Sequence, residues 1–69
     1  MDIVEISENL AEEYNLSIKT LKGSRRDKKI VNTRKKLTKL LHDEYEVSFG
    51  MISRLLNKDY TTIKHYYNT

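Results

Sequence analysis

Sixty-nine residues make one domain at most. With no cysteine, no proline and two glycines, the chain has no disulfide framework and no thiolate metal site, so packed helices remain as its means of stability. Its two histidines, His42 and His65, are too few and too far apart for a closed zinc site. No apolar run approaches the roughly 20 residues of a membrane span, and an acidic start is unlike a signal peptide; the chain reads as an intracellular, soluble, all-α domain. The net charge of +3 hides an uneven distribution: residues 1–16 carry −5, residues 17–40 carry +9 and residues 41–69 carry −1.

The pattern predicts five short helices, without repeats or linkers, as one domain over residues 1–69. The first spans Asp2 to Tyr14, with Ile3, Ile6, Leu10 and Tyr14 in one apolar stripe that Ala11 joins. Asp2, Glu5, Glu8, Glu12 and Glu13 fill its other face, and Asn15 suits the left-handed residue that ends a helix. Ser17 is the N-cap of a second helix ending at Lys22, where Gly23 stops it and a basic loop, Gly23–Arg26, begins. Asp27 is placed to cap a third, longer helix reaching Tyr45, with Ile30, Val31, Leu37, Leu40, Leu41 and Tyr45 on its apolar side among lysines and Arg34. Ser48 caps a fourth helix, Phe49 to Leu56, and Asp59 a fifth, Tyr60 to Asn68, with Ile63, Tyr66 and Tyr67 inward. The expected core is Leu10, Tyr14, Leu21, Ile30, Leu37, Leu41, Ile52, Leu55 and Ile63. Two short helices joined by about three residues, near a basic surface, read as a helix-turn-helix.

Three stretches carry a resemblance. They are Leu10-Ala11-Glu12-Glu13-Tyr14 with Leu16, Ser17 and Leu21; Arg25-Arg26 with Ile30 and Arg34; and Ser48 and Ile52 followed by Lys58-Asp59-Tyr60-Thr61-Thr62-Ile63-Lys64-His65. From Ile6 to Tyr67 the chain resembles the C-terminal DNA-binding domain of the bacterial replication initiator DnaA, whose recognition helix opens on an Arg-Asp-His-Thr-Thr-Val-x-His run. The resemblance implies a compact, Trp-repressor-like helix-turn-helix fold. It also implies a recognition helix in the major groove, with base contacts from Asp59, Tyr60, Thr61 and Thr62, and a loop whose Arg26 enters the minor groove. The sequence departs from that pattern at Lys58 (Arg in the family), Tyr60 (His), Ser53 (usually Gly), and Lys35 and Lys36 (a polar and an apolar residue), which bears on the preferred site rather than on the mode of binding. No Gly-rich phosphate loop followed by Lys-Ser/Thr is present, so the chain is not an initiator by itself. Met1 favours a free-standing small protein over an excised domain.

The residue chemistry agrees with that reading. Threonine offers a hydroxyl and a methyl to base edges, and tyrosine a hydroxyl; the plainer alternative is that Asp59 and the threonines only cap the helix. An arginine gains from the strong negative potential of a narrow minor groove. Arg25, Lys28, Arg34, Lys35, Lys39, Lys58, Lys64 and His65 are expected to touch phosphates, which set register and affinity without reading sequence. The alternative for each is a solvated charge. Tyr60 or Tyr66 could instead stack on single-stranded bases. No catalytic constellation, metal site or cofactor motif is found. The expected function is sequence-specific binding of double-stranded DNA, as a small regulator or replication accessory, of phage or a mobile element, acting at the nucleoid in the cytoplasm. A homodimer or a protein partner is left open. The competing reading is a protein-interaction module, its acidic first helix docking a basic partner, that modulates a replication or transcription factor without touching DNA.

Overall fold

A computed structural model describes residues 2–69 and contains five helices: α1 (Ile3–Glu13), α2 (Ile18–Lys22), α3 (Lys28–Tyr45), α4 (Phe49–Leu56) and α5 (Tyr60–Asn68). No strand occurs among the described residues. The helix starts follow local chemistry. Asp2, Ser17 and Ser48 each accept from a backbone N–H of the first turn, at 2.9, 3.2 and 3.2 Å. Asn15 and Asn57 take the left-handed conformation after α1 and α4, as short polar side chains do readily. Glu46 takes it after α3 (φ 54°), a position the sequence pattern did not mark.

α3 is the spine: α1, α2, α4 and α5 all pack on it, and α5 also packs on α4. The core consists of Ile6, Ala11, Leu21, Ile30, Leu37, Leu41, Val47, Ile52, Leu56, Ile63 and Tyr66. Leu10 and Leu55, expected inside, are only half-buried at its edge, as is Tyr14. On α1 the buried line is Ile6, Ser7 and Ala11. Two small residues there let the helix axis approach its neighbours and turn Leu10 to the rim. Ser7, Thr33 and Thr38 are buried yet satisfied, each hydroxyl donating to the carbonyl four residues earlier at 2.6–2.8 Å. Tyr45, the last apolar residue assigned to α3, is 42% exposed.

Candidate nucleic-acid interface

α4, the turn Asn57–Lys58–Asp59 and α5 form the helix-turn-helix. The turn is closed by Lys58 N–H donating to the Ser53 carbonyl (3.0 Å) and by the Ser53 hydroxyl donating back to the Lys58 carbonyl (2.7 Å). Ser53, a departure from the family pattern, therefore stitches the turn with its side chain. Asp59 occupies the N-cap position of α5 but makes no capping hydrogen bond, and it is exposed. Its carboxylate is not consumed by the helix and faces out at the positive end of the helix dipole.

Beside this turn lies an open concavity of about 650 Å³, lined by Gly23 and Arg26 of the α2–α3 loop and by Lys58, Asp59, Thr62 and His65 of the helix-turn-helix. The fold thus gathers Arg26, Asp59 and Thr62, three of the five expected base-reading residues, onto one surface. Thr61 is exposed beside it on α5, whereas Tyr60 and Lys64 stand on the other flank of that helix. There the Tyr60 ring meets Phe49 edge-on at 6.2 Å, and the Lys64 ammonium lies 5.8 Å from its centre. Phe49 also stacks on His42 (4.2 Å) and packs against Tyr67 (5.2 Å), so Tyr60 sits at the edge of an aromatic cluster.

The expected phosphate contacts divide. Lys28, Lys64 and His65 are exposed, and Lys35 and Lys39 are half-buried. Arg25 is exposed but paired with Asp27 two residues on. That pair also explains why Asp27, expected to cap α3, makes no capping hydrogen bond.

Arg34 is the correction. Expected at a phosphate, it is 1% exposed. Its Nε donates to the Leu21 carbonyl at 2.9 Å, and its Nη2 to Gly23 at 2.9 Å and to Thr20 at 3.5 Å. Leu21 and Gly23 lie where α2 ends and its carbonyls run out of helical partners, Thr20 accepts from the Gly23 N–H as well, and a planar guanidinium can serve several at once. Lys58 reaches the same point from the other side: its ammonium donates to the carbonyls of Lys22 (3.1 Å) and Gly23 and to that of Leu56 (3.3 Å). Partial burial lowers the Lys58 pKa from lysine's ordinary value, and the neighbouring Arg34 charge lowers it further. Lys58 is thus half-buried and occupied within the fold, tying the helix-turn-helix to the loop that carries Arg26. Neither anchor was read from the sequence. For Arg34 a signal existed, since Ile30, Arg34, Leu37 and Leu41 lie at helical spacing on one buried stripe. Lys29, Lys36 and Tyr14, which line a second depression with Lys28 and Lys35, were also passed over.

Among the described residues no helix is long and apolar enough to cross a membrane, and no group of three or more His, Asp or Glu is placed to hold a metal ion. Comparison with curated proteins and with solved structures finds no match. A protein-family model does match, over residues 3–69. It is the model of the bacterial dnaA protein helix-turn-helix, and its match agrees with the all-α fold and with the turn between α4 and α5. The chain belongs to the family of bacterial DnaA helix-turn-helix domains, a DNA-binding family.

Proposed function

We propose that this domain binds double-stranded DNA sequence-specifically, with the start of α5 in a major groove and the Gly23–Arg26 loop in the adjacent minor groove. In this reading it serves as a small regulator or a replication accessory. One observation carries the reading: Arg26, Asp59 and Thr62 line one concavity, and Lys58 ties the loop to the helix-turn-helix through the Lys22 and Gly23 carbonyls. Two reading elements held in fixed register suit a duplex, whose adjacent grooves are themselves in fixed register. Asp59 with a free carboxylate, Tyr60, Thr61 and Thr62 supply acceptors, hydroxyls and methyls for base edges. Lys28, Lys35, Lys39, Lys64 and His65 supply charge for the backbone on either side, with Arg25 joining them when its pair with Asp27 opens.

Selection of bound duplexes from a random pool, followed by a salt titration on the winner, tests the reading. A recovered consensus is expected, with an A·T preference a few base pairs from the major-groove core. Affinity should fall with salt at a log–log slope of about −0.9 per phosphate neutralised. A pool that yields no consensus, with little duplex affinity at any salt, would overturn the reading in favour of a protein-interaction module.

A further inference from the structure

On the side of α3 away from the reading concavity lies a second depression, of about 540 Å³, between the end of α1 and the first half of α3. Lys28, Lys29, Lys35 and Lys36 rim it, and Tyr14 forms a wall. The two depressions share no lining residue. Helical register separates them: at about 100° per residue, Lys29 and Lys36 fall nearly opposite Val31 and Arg34, which line the first. The Lys36 ammonium is held over the Tyr14 ring (4.9 Å to its centre) and donates to the Tyr14 hydroxyl at 2.9 Å. None of the four lysines is in an ion pair, since the one ion pair among the described residues joins Arg25 to Asp27. Four like charges around one hollow repel each other and attract a polyanion.

The chain carries a polyanion that fits. Glu5, Glu8 and Glu12 are exposed at three- and four-residue steps, one ridge along α1. Glu5 and Glu12 are seven residues apart, as are Lys29 and Lys36 and also Lys28 and Lys35, so each pair spans about 10.5 Å of helix. We propose that the lysine groove is a self-association surface that takes the Glu5–Glu8–Glu12 ridge of a second copy of this chain. The ridge lies on the side of α1 away from Tyr14, which ends the helix and lines the groove, so ridge and groove are separate patches on one copy. Ridge into groove is therefore a heterologous contact, the ridge of one copy meeting the groove of the next. Both reading concavities stay outside the contact, but Lys28 and Lys35, which the DNA-binding reading gives to the backbone, lie at its rim, so self-association and duplex binding compete for them. Exposed ion pairs are individually weak and screened by salt, so the association is a weak, salt-sensitive one.

Sedimentation velocity of the protein without DNA, at low and high salt, tests this. The parent is expected to show reversible, concentration-dependent self-association at about 50 mM salt whose dissociation constant rises about tenfold or more by about 500 mM. K29E/K36E and E8K/E12K, all at exposed positions, should each be monomeric. Mixing the two variants restores both sets of pairs and should restore association, and so should all four changes on one chain. Circular dichroism melts confirm folding, and recovery of association on mixing cannot come from unfolded variants. A parent that is monomeric at both salts, reversed variants that associate as the parent does, or a mixture that stays monomeric would each overturn the proposal. Should the parent be monomeric while K29E/K36E lowers duplex affinity, the groove is a nucleic-acid surface and self-association is wrong.

Discussion

The two sides of α3 carry the same kind of residue and put it to opposite uses. On one side Arg34 is buried against the end of α2, its guanidinium committed to three backbone carbonyls. On the other, Lys35 and Lys36 are a residue or two further along the helix, at the rim of an open groove, and Lys36 is exposed. A count of positive charge does not separate them. What separates them is the partner each side of the helix faces: α2's unsatisfied carbonyls in one direction and solvent in the other. A basic helix in a small domain is therefore partly an electrostatic surface and partly a set of fasteners.

The strongest way to break that comparison is to truncate both kinds. Arg34→Ala leaves the Leu21 carbonyl without its donor, leaves Gly23 with Lys58 alone, and opens a hole in the core. A loss of about 3 kcal/mol is expected, since unsatisfied buried groups cost about 1–3 kcal/mol each. For a chain of this size that is a fall in Tm of more than about 10 °C. Lys35→Ala should stay within about 0.5 kcal/mol of the parent and instead flatten the salt slope of duplex binding by about one unit. Thermal melts beside a salt titration measure both. An Arg34→Ala variant as stable as the parent, with a flattened slope, would return Arg34 to the phosphate-contacting set.

Within the reading face, the comparison sharpens between the two groove-facing elements. Thr62→Ala and Thr61→Ala are each expected to lose about 1–3 kcal/mol of discrimination at one or two base pairs. Arg26→Ala is expected to relax an A·T preference a few base pairs away, because the minor groove reports mainly A·T against G·C. Binding to a panel of single-base variants of the selected duplex separates the two. If all three variants bind that panel as the parent does, these side chains do not read DNA. Lys58→Ala addresses the link between the elements. It removes three hydrogen bonds from a half-buried amine, and about 1 kcal/mol of stability is expected to go with them. The Arg26-dependent A·T preference should weaken in the same variant while the Thr61 and Thr62 positions keep theirs. Loss at every base pair alike would make Lys58 an ordinary phosphate contact.

These elements also show what could be read in advance. Every helix was legible, because caps and apolar periods are local: Ser17, Ser48, Asn15 and Asn57 do what their side chains favour, and the apolar side of α3 follows directly from 3.6-residue spacing. The helix-turn-helix and the Gly23–Arg26 loop were legible from helix spacing and local composition, and the resemblance supplied only the groove each is expected to enter. The anchoring of Arg34 and Lys58 was not, because it depends on where the end of α2 lies in space, and no local pattern carries that. The same holds for Asp27 and Asp59. Both sit at N-cap positions, yet the first pairs with Arg25 and the second keeps its carboxylate free. Leu10 is expected inside because it shares the helical spacing of Ile3, Ile6 and Tyr14. The small side chains of Ser7 and Ala11 decide which side of α1 comes closest to the core.

The smallest expected effect lies at the aromatic cluster, where a fastener is exposed rather than buried. The Tyr67 hydroxyl donates to the Asp43 carboxylate at 2.7 Å, joining α5 to α3. That hydrogen bond raises the Tyr67 pKa from the ordinary 10.0, with desolvation and the Asp43 charge adding to it. A raised tyrosine pKa means that folding favours the protonated phenol. The contribution is therefore complete below the ordinary tyrosine pKa and disappears as pH rises through the raised value. At neutral pH, Asp43→Asn should accordingly leave DNA binding unchanged, in contrast to Lys58→Ala. In an alkaline titration followed by tyrosinate absorbance, the Tyr67 component, isolated as the difference between parent and Tyr67→Phe, should move to lower pH in the Asp43→Asn background. The parent should begin to lose stability as the pH passes the ordinary tyrosine pKa, and Tyr67→Phe should lack this component of the alkaline dependence. If Asp43→Asn leaves the Tyr67 component where it was, the carboxylate does not hold the phenol, and α5 is kept on α3 by the packing of Ile63 and Tyr66 alone.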